Sequence, residues 1–204
     1  DSTYYGLDLR PNHSRAIAGP ERFRAAVRSL PTGATTIASL LRELNALPGD
    51  FWIRLLYTHP AHWTDELIQT IAACTKVARY IDIPLQHIHA NMLERMRRET
   101  SKEHILDLLR RIRGGIPGIA LRTTFIVGFP GEGEKEFDAT MDLVDRIRFD
   151  GLFSFCFSPR KFTGAAALQD VVPREEAMRR LQRLQLVQKA ITREKNRALE
   201  GTKA

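Results

Sequence analysis

The sequence predicts an α/β fold, a partial parallel (β/α) barrel that ends in an amphipathic helix. Segments rich in β-branched and aromatic residues alternate with segments of helical periodicity. Successive strands begin about 28 to 43 residues apart, an interval that favours parallel pairing through right-handed crossovers. Because a closed eight-stranded barrel needs roughly 200 to 250 residues and eight such units, four units are expected to form an arc.

Four strands are predicted, each followed by a helix or a loop. The strands are Phe51 to Tyr57, Arg79 to Pro84, Arg122 to Gly128 and Gly151 to Phe157. A helix opens near Thr64 after the first strand, and Thr100 to Glu103 is predicted to open another helix as a capping box. Residues 10–35 carry several Pro and Gly residues, which favour a loop or an irregular insertion. The strand Phe51 to Tyr57 is expected to lie at an open edge of the sheet.

A change in charge marks the C-terminal segment. The formal net charge is +7, and residues 173–204 hold nine Lys and Arg against four Asp and Glu. Residues 1–172 are therefore expected to form the barrel part, and residues 173–204 a basic amphipathic helix. The simpler interpretation is that this helix docks on the body with its charges in solvent. The alternative is a helix that also approaches RNA phosphates.

Composition excludes several classes of protein. No apolar run approaches the roughly 18 to 20 residues that span a bilayer, and the first residues lack the features of a secretion signal. Cys74 and Cys156, the two cysteines, are expected to be thiols in a reducing compartment rather than a disulfide. The predicted location is the cytoplasm, without a membrane partner. Neither thiol is predicted to act as a nucleophile, and core packing is expected for Cys74.

Residues just beyond the strands are the candidates for ligand binding, because ligands of parallel α/β folds lie at the carboxyl ends of the strands. The segment Gly128 to Gly133 lacks the Lys of a P-loop and the glycine spacing of a dinucleotide motif. It is interpreted as a glycine-rich turn that a ligand can approach closely, with an ordinary βα turn as the alternative. Gln86 is a candidate for binding a polar ligand, because its amide both donates and accepts.

Two histidines also follow the second strand. His87 and His89 resemble the paired metal ligands of hydrolases, since alternate residues of an extended chain point to the same side. His59 and His62 could add further ligands, but no acidic residue convincingly closes the set. No metal site is therefore predicted, and a metal-dependent hydrolase is kept as an alternative.

Several motifs, taken in their order and spacing, resemble the radical S-adenosylmethionine methylthiotransferases. They are Asp1 to Leu9, Tyr80 to His87, Arg97-Arg98 before Thr100, Thr124 to Glu132, Phe155 to Arg160 and Arg180 to Gln185. The resemblance implies a radical SAM barrel that binds S-adenosylmethionine. The cofactor contacts that it implies are Gln86, His87, Thr124, Gly128, Phe129, Gly131, Glu132, Phe157 and Ser158. It assigns no catalytic residue.

The family has two branches with different substrates. RimO-like enzymes methylthiolate an aspartate of a small-subunit ribosomal protein, and MiaB-like enzymes act on a transfer-RNA adenosine. The segments Tyr4 to Leu9, Asp50 to Pro60 and Tyr80 to Pro84 resemble the first branch, whereas Ser158 to Arg160 is closer to the second. The ribosomal protein is therefore the expected partner, and transfer RNA is the alternative.

The sequence departs from the family at the iron–sulfur cluster. The family binds a catalytic 4Fe-4S cluster through a Cys-x3-Cys-x2-Cys loop, a motif that these 204 residues lack. In the family this loop lies upstream of the segment that resembles Asp1 to Leu9, and a small β-barrel domain follows the segment that resembles Gly201. We therefore expect this chain to be the central and C-terminal part of a radical SAM core. Such a part needs a separate cluster-binding part and is expected to be inactive alone. A catalytically silent binding module is the alternative. Lys161 to Gly164 also differ from the family pattern.

Overall fold

The computed structural model describes residues 1–7 and 19–202. Four strands form one sheet in the order β1-β2-β3-β4. They are β1 (Ile53–Leu55), β2 (Val77–Gln86), β3 (Ala120–Val127) and β4 (Gly151–Cys156). β1 runs parallel to β2, and β3 runs parallel to β4. The α/β class and the four strands are confirmed, and β1 lies at one end of the strand order, as expected for an edge.

Seven α-helices are found in the described residues. They are α1 (Pro20–Arg28), α2 (Ile37–Ala46), α3 (Asp65–Ala73), α4 (Ala90–Arg95), α5 (Lys102–Gly115), α6 (Glu134–Ile147) and α7 (Arg174–Leu199). Within the described residues, Ser2–Tyr4 and Gly164–Ala167 form short 3-10 helices. Across the described ranges, no helix combines the length and the apolar character that crossing a membrane requires.

The chain divides into two compact units. The first comprises Asp1–Pro84 and Glu99–Ala120, and the second comprises Leu85–Arg98 and Leu121–Ala204. The expected division between residues 172 and 173 stays a prediction.

Three helices build the core of the first unit. α3 lies against both α2 and α5. α3 opens near Thr64, as expected, and the Thr64 hydroxyl caps it by accepting a hydrogen bond from the Leu67 amide at 3.1 Å. The apolar faces of these helices are buried, with Leu41, Leu67, Ile71, Ile105, Leu108 and Ile112 among their buried residues.

In the second unit, α7 packs on β4 and α6. β3 alternates between buried and half-buried residues, since successive side chains of a strand point to opposite faces. Leu121, Thr123, Phe125 and Val127 are buried. Thr124 and Ile126 lie on the opposite, half-buried face, where they pair in register with Phe153 and Phe155 of β4.

The structure corrects the prediction for residues 10–35. Residues 20–28 of this stretch form α1, while residues 10–18 lie outside the described residues. Pro20 occupies the first turn of α1, where its missing N–H costs no hydrogen bond. Phe23 anchors the helix in the core and is 2% exposed. The same Pro that suggested an irregular chain therefore begins a helix.

Several element ends also differ from expectation, and β2 extends to Val77 and Gln86. Ser101, not Thr100, caps α5, because the Ser101 hydroxyl accepts from the His104 amide at 3.1 Å. β1 stops before Tyr57, whose φ of 55° is left-handed and does not fit a strand. Cys74 follows the last residue of α3 instead of lying inside the helix, and it is buried as expected.

Candidate functional site

A cavity of about 360 Å³ lies in the second unit at the carboxyl ends of the strands. Its volume falls within the range of about 300 to 1,000 Å³ that small-molecule sites occupy. It is lined by Gln86, Arg95, Met96, Arg97, Arg98, Ile126, Phe129, Phe157, Gly164, Ala165 and Leu168. The cavity thus lies where parallel α/β folds bind their ligands.

Two residues of the cavity wall have a left-handed backbone conformation. Gln86 ends β2 with a φ of 70°, and Arg97 has a φ of 52°. Left-handed conformations of residues other than glycine cost of order 1 to 3 kcal/mol and cluster at ligand sites. The strained backbone of Gln86 supports a role in ligand binding, which the sequence also predicts for this residue.

Two aromatic rings form an apolar part of the cavity wall. The rings of Phe129 and Phe157 have their centroids 4.8 Å apart and their planes at 67°. The Phe157 amide donates to the Val127 carbonyl at 2.8 Å, which fixes the chain as it leaves β4. Phe129 is 5% exposed, so its ring is held by the surrounding core. The two rings meet nearly edge to face and make this part of the wall apolar.

The Glu132 side chain is buried among protein partners, and its contact with a cofactor stays a prediction. One carboxylate oxygen accepts from the amides of Gly128 at 2.6 Å and Phe129 at 3.3 Å. The other oxygen accepts from Nη1 of Arg180 at 3.1 Å. Burial raises the pKa of Glu132, and the Arg180 charge and the two amides oppose that shift. Glu132 therefore holds the turn after β3 and anchors α7.

The turn glycines are required by their protein neighbours. Gly128 has a φ of 70°, and a Cβ there would lie 2.5 Å from Cβ of Ala177 on α7. A Cβ on Gly131, whose φ is 83°, would lie 2.6 Å from a carboxylate oxygen of Asp170. The space beside Gly128 is taken by α7, and contact of this turn with a ligand stays a prediction.

His87 is buried and neutral. It is 1% exposed, and its Nδ1 accepts from the amides of Ile88 at 2.9 Å and His89 at 3.0 Å. Burial, assisted by the charge of His89, lowers the pKa of His87 to about 4. At neutral pH the ring therefore fixes the chain after β2 through accepted hydrogen bonds.

Of the nine residues that the resemblance implies, the structure places Gln86, Phe129 and Phe157 on the cavity wall. Thr124 shares the half-buried face of β3 with Ile126, a wall residue, while Ser158 is exposed beyond Phe157. Contact of these residues with a cofactor stays a prediction.

Sequence reasoning missed several wall residues, among them Arg95, Met96, Gly164, Ala165 and Leu168. Arg97 and Arg98 were noted as part of a motif without a role. The arginines that cluster before Thr100 were the available signal for these wall residues. Three cations close to a strand end favour binding of an anionic group.

The two cysteines do not fit a 4Fe-4S cluster. Burial raises the pKa of both thiols, and Cys74 belongs to the first unit and Cys156 to the second. Sγ of Cys156 lies 3.6 Å from the sulfur of Met178 on α7. A 4Fe-4S cluster is held by several Cys thiolates. No step at a cluster is therefore assigned to Cys74 and Cys156.

Asp1, His59 and His62 form a polar cluster in the first unit that sequence reasoning did not assemble. Their potential ligand atoms lie within 4.8 Å of one another. Nδ1 of His62 contacts the Asp1 carboxylate, and Nδ1 of His59 accepts from the Ala61 amide at 3.2 Å. The Asp1 side chain also caps the first 3-10 helix. These contacts give each member a role in local structure, and His87 and His89 lie outside the cluster.

A wider groove of about 750 Å³ runs between β4 and α7. Lys189, Arg193 and Arg197 line it at helical spacing. The alternative in which this helix approaches RNA phosphates stays a prediction.

Comparison with known proteins identifies the family. The model of the radical SAM superfamily matches residues 29–144. The chain belongs to the radical SAM superfamily. Among curated relatives of this radical SAM chain is the "ribosomal protein uS12 methylthiotransferase RimO" of Opitutus terrae, which is 47% identical over 98% of the chain and 41% of the relative. The protein of the same name from Akkermansia muciniphila is 51% identical over 88% of the chain and 38% of the relative. The chain thus spans about two-fifths of the length of these relatives.

Solved structures agree with the fold of this radical SAM chain. Coproporphyrinogen III oxidase (HemN) from Escherichia coli superposes with a TM-score of 0.60 at 17% identity, over 82% of the chain and 37% of HemN. The radical SAM methyltransferase TsrM from Kitasatospora setae gives a TM-score of 0.52 at 23% identity, over 64% of the chain and 26% of TsrM. At these identities the likeness concerns the fold alone.

Proposed function

We propose that this chain provides the S-adenosylmethionine-binding part of a methylthiotransferase that modifies ribosomal protein uS12. The observation that carries the proposal is the cavity at the strand ends, where Gln86, Phe129 and Phe157 converge. Relatives that are 47% and 51% identical are named for activity on uS12. Their names favour this substrate over a transfer-RNA adenosine, which Ser158 to Arg160 alone supports.

The wall residues match the chemical groups of S-adenosylmethionine. The rings of Phe129 and Phe157 suit a purine, and the Gln86 amide can satisfy a ribose hydroxyl or a purine edge in both hydrogen-bonding senses. Arg97 and Arg98 carry guanidinium groups, which bind carboxylates well. The residues present therefore fit the cofactor.

The chain's own residues bind and orient the cofactor. A bound S-adenosylmethionine would supply radical chemistry, which belongs to the cofactor rather than to side chains. Phe129 and Phe157 exclude water from the purine side of the cavity. Gln86 fixes the orientation of a polar edge, and the arginines hold the carboxylate end.

We expect Gln86→Gly to weaken ligand binding without lowering the free energy of unfolding. Glycine adopts a φ of 70° without strain, so the free energy of unfolding should stay level or rise by about 1 kcal/mol. Loss of the amide should weaken binding of S-adenosylhomocysteine about tenfold. Isothermal titration calorimetry gives the affinity, and urea unfolding gives the stability.

Gln185→Ala is the matched control for Gln86→Gly. The Gln185 amide lies on α7 and donates to the Ser154 hydroxyl at 3.3 Å, away from the cavity wall, so its loss should leave the affinity unchanged. Equal affinities for wild type and Gln86→Gly would refute the assignment of Gln86.

A further inference from the structure

A segment that we call the strap, residues 158–172, joins β4 to α7 and includes the 3-10 helix Gly164–Ala167. Gly164, Ala165 and Leu168 of the strap line the cavity. The strap thus forms one wall of the site without belonging to the sheet or to a long helix. Whatever holds the strap in place also determines the shape of the cavity.

Asp170 ties the strap to its surroundings. Its carbonyl accepts from the Gly131 amide at 2.8 Å. Both of its carboxylate oxygens accept from Nη2 of Arg95 at 2.6 Å. The hydrogen bonds of Asp170 thus join the strap to the turn after β3 and to α4.

Arg95 connects three segments that converge on the cavity. It is the last residue of α4, and its Nε donates to the Pro130 carbonyl in the turn after β3 at 3.0 Å. Its other guanidinium end reaches the strap. A Cβ on Gly131 would lie 2.9 Å from Cζ of Arg95. The absence of a side chain at Gly131 is therefore what lets Arg95 and Asp170 meet over the turn.

We propose that Arg95 and Asp170 form a clamp that holds the strap against the cavity, and that Arg95 is a positioning residue for the bound ligand. The identity of that ligand, an S-adenosyl compound, rests on the proposed function. The side chains of Arg95 and Asp170 are 28% and 51% exposed. A pair that reaches solvent in this way is screened by salt. The clamp should therefore weaken as the salt concentration rises.

The clamp is tested by hydrogen exchange of the strap amides, measured by mass spectrometry on the 204-residue chain. Asp170→Asn and Arg95→Met should each speed exchange in the strap about fivefold. The double variant should exchange no faster than either single variant, because each change breaks the same clamp. Arg95→Lys, which keeps the charge, should restore part of the protection. Raising the salt concentration should speed exchange in the wild type and leave the double variant unchanged.

Arg110→Met is the matched control, because Arg110 pairs with Asp107 on α5 in an exposed ion pair outside the second unit. It should leave strap exchange at the wild-type rate. Wild-type exchange in Asp170→Asn and Arg95→Met would overturn the clamp.

Binding of S-adenosylhomocysteine tests the positioning role. The dissociation constant should rise about fivefold in Asp170→Asn and Arg95→Met, chiefly through faster dissociation. Faster strap exchange with unchanged affinity would overturn the positioning role of Arg95. If the wild-type chain binds no S-adenosylhomocysteine, the proposed function fails, while strap exchange still decides the clamp.

Discussion

Replacing Arg180 with Met is expected to lower the free energy of unfolding by about 3 to 5 kcal/mol. Arg180 is 7% exposed, and its Nη1 donates to the Glu132 carbonyl at 2.6 Å and to the Glu132 carboxylate at 3.1 Å. Its Nε donates to Glu176 at 2.9 Å. Without Arg180, the Glu132 carboxylate stays buried and loses its compensating charge. Urea unfolding measures the loss.

The loss at Arg180→Met should depend on pH. Burial already raises the pKa of Glu132, and removal of the Arg180 charge should raise it further. An acid whose pKa is raised by folding stabilises the protein below its unfolded pKa, and that contribution is lost as the pH rises through the folded pKa. The deficit of the variant should therefore be smallest in acid and largest at and above neutral pH.

Two further variants separate charge from packing at Arg180. Arg179→Met removes the neighbouring arginine, which pairs with Glu176 and is 74% exposed, and it should produce no measurable loss. Adding Glu132→Gln to Arg180→Met should recover part of the stability, because no carboxylate is then left unpaired. A deficit that is independent of pH, or one matched by Arg179→Met, would contradict the account of this pair.

Gly128→Ala is expected to destabilise the fold by about 3 kcal/mol. The added Cβ would lie 2.5 Å from Cβ of Ala177, closer than packed carbon atoms come, and overpacking costs about 1 to 3 kcal/mol. The φ of 70° adds about 1 to 2 kcal/mol for a residue that is not glycine. Thermal or urea unfolding of the purified variant measures the effect.

Gly118→Ala isolates the backbone part of this effect. Gly118 has a φ of 76° and no atom within 4 Å of a Cβ built on it, so its substitution should cost only about 1 to 2 kcal/mol. Combining Gly128→Ala with Ala177→Gly should be less damaging than the sum of the two single changes, because the second removes the opposing methyl group. Equal losses at Gly118 and Gly128 would show that α7 does not crowd the turn.

Local patterns predicted those parts of the fold that local chemistry dictates. The third strand and the helix that opens near Thr64 follow from the composition of short segments, and both appear as expected. The α1 helix was missed because Pro20 and the nearby glycines are typical of a turn. The burial of Phe23, which stabilises the helix, is visible only in the structure. Tertiary burial decided that segment, as it often overrides local propensity.

The candidate site was predictable in position but not in its partners. Gln86 and Phe129 follow directly from the rule that ligands lie at strand ends. The partners of Glu132 and Arg95 lie 48 and 75 positions away along the chain. No periodicity links residues that far apart, so the carboxylate of Glu132 looked available for a ligand. In the structure Arg180 and two backbone amides occupy it.

Exchange of a segment between relatives tests the proposed function most directly. Residues 1–202 would replace the matching segment of the RimO protein of Opitutus terrae, which is 47% identical to this chain. Mass spectrometry would then follow uS12 and transfer RNA incubated with the purified chimera. The account predicts that uS12 gains a methylthio group, and that Gln86→Gly in the chimera reduces the yield at limiting S-adenosylmethionine. A chimera that binds S-adenosylhomocysteine normally but modifies transfer RNA, or leaves uS12 unmodified, would contradict it.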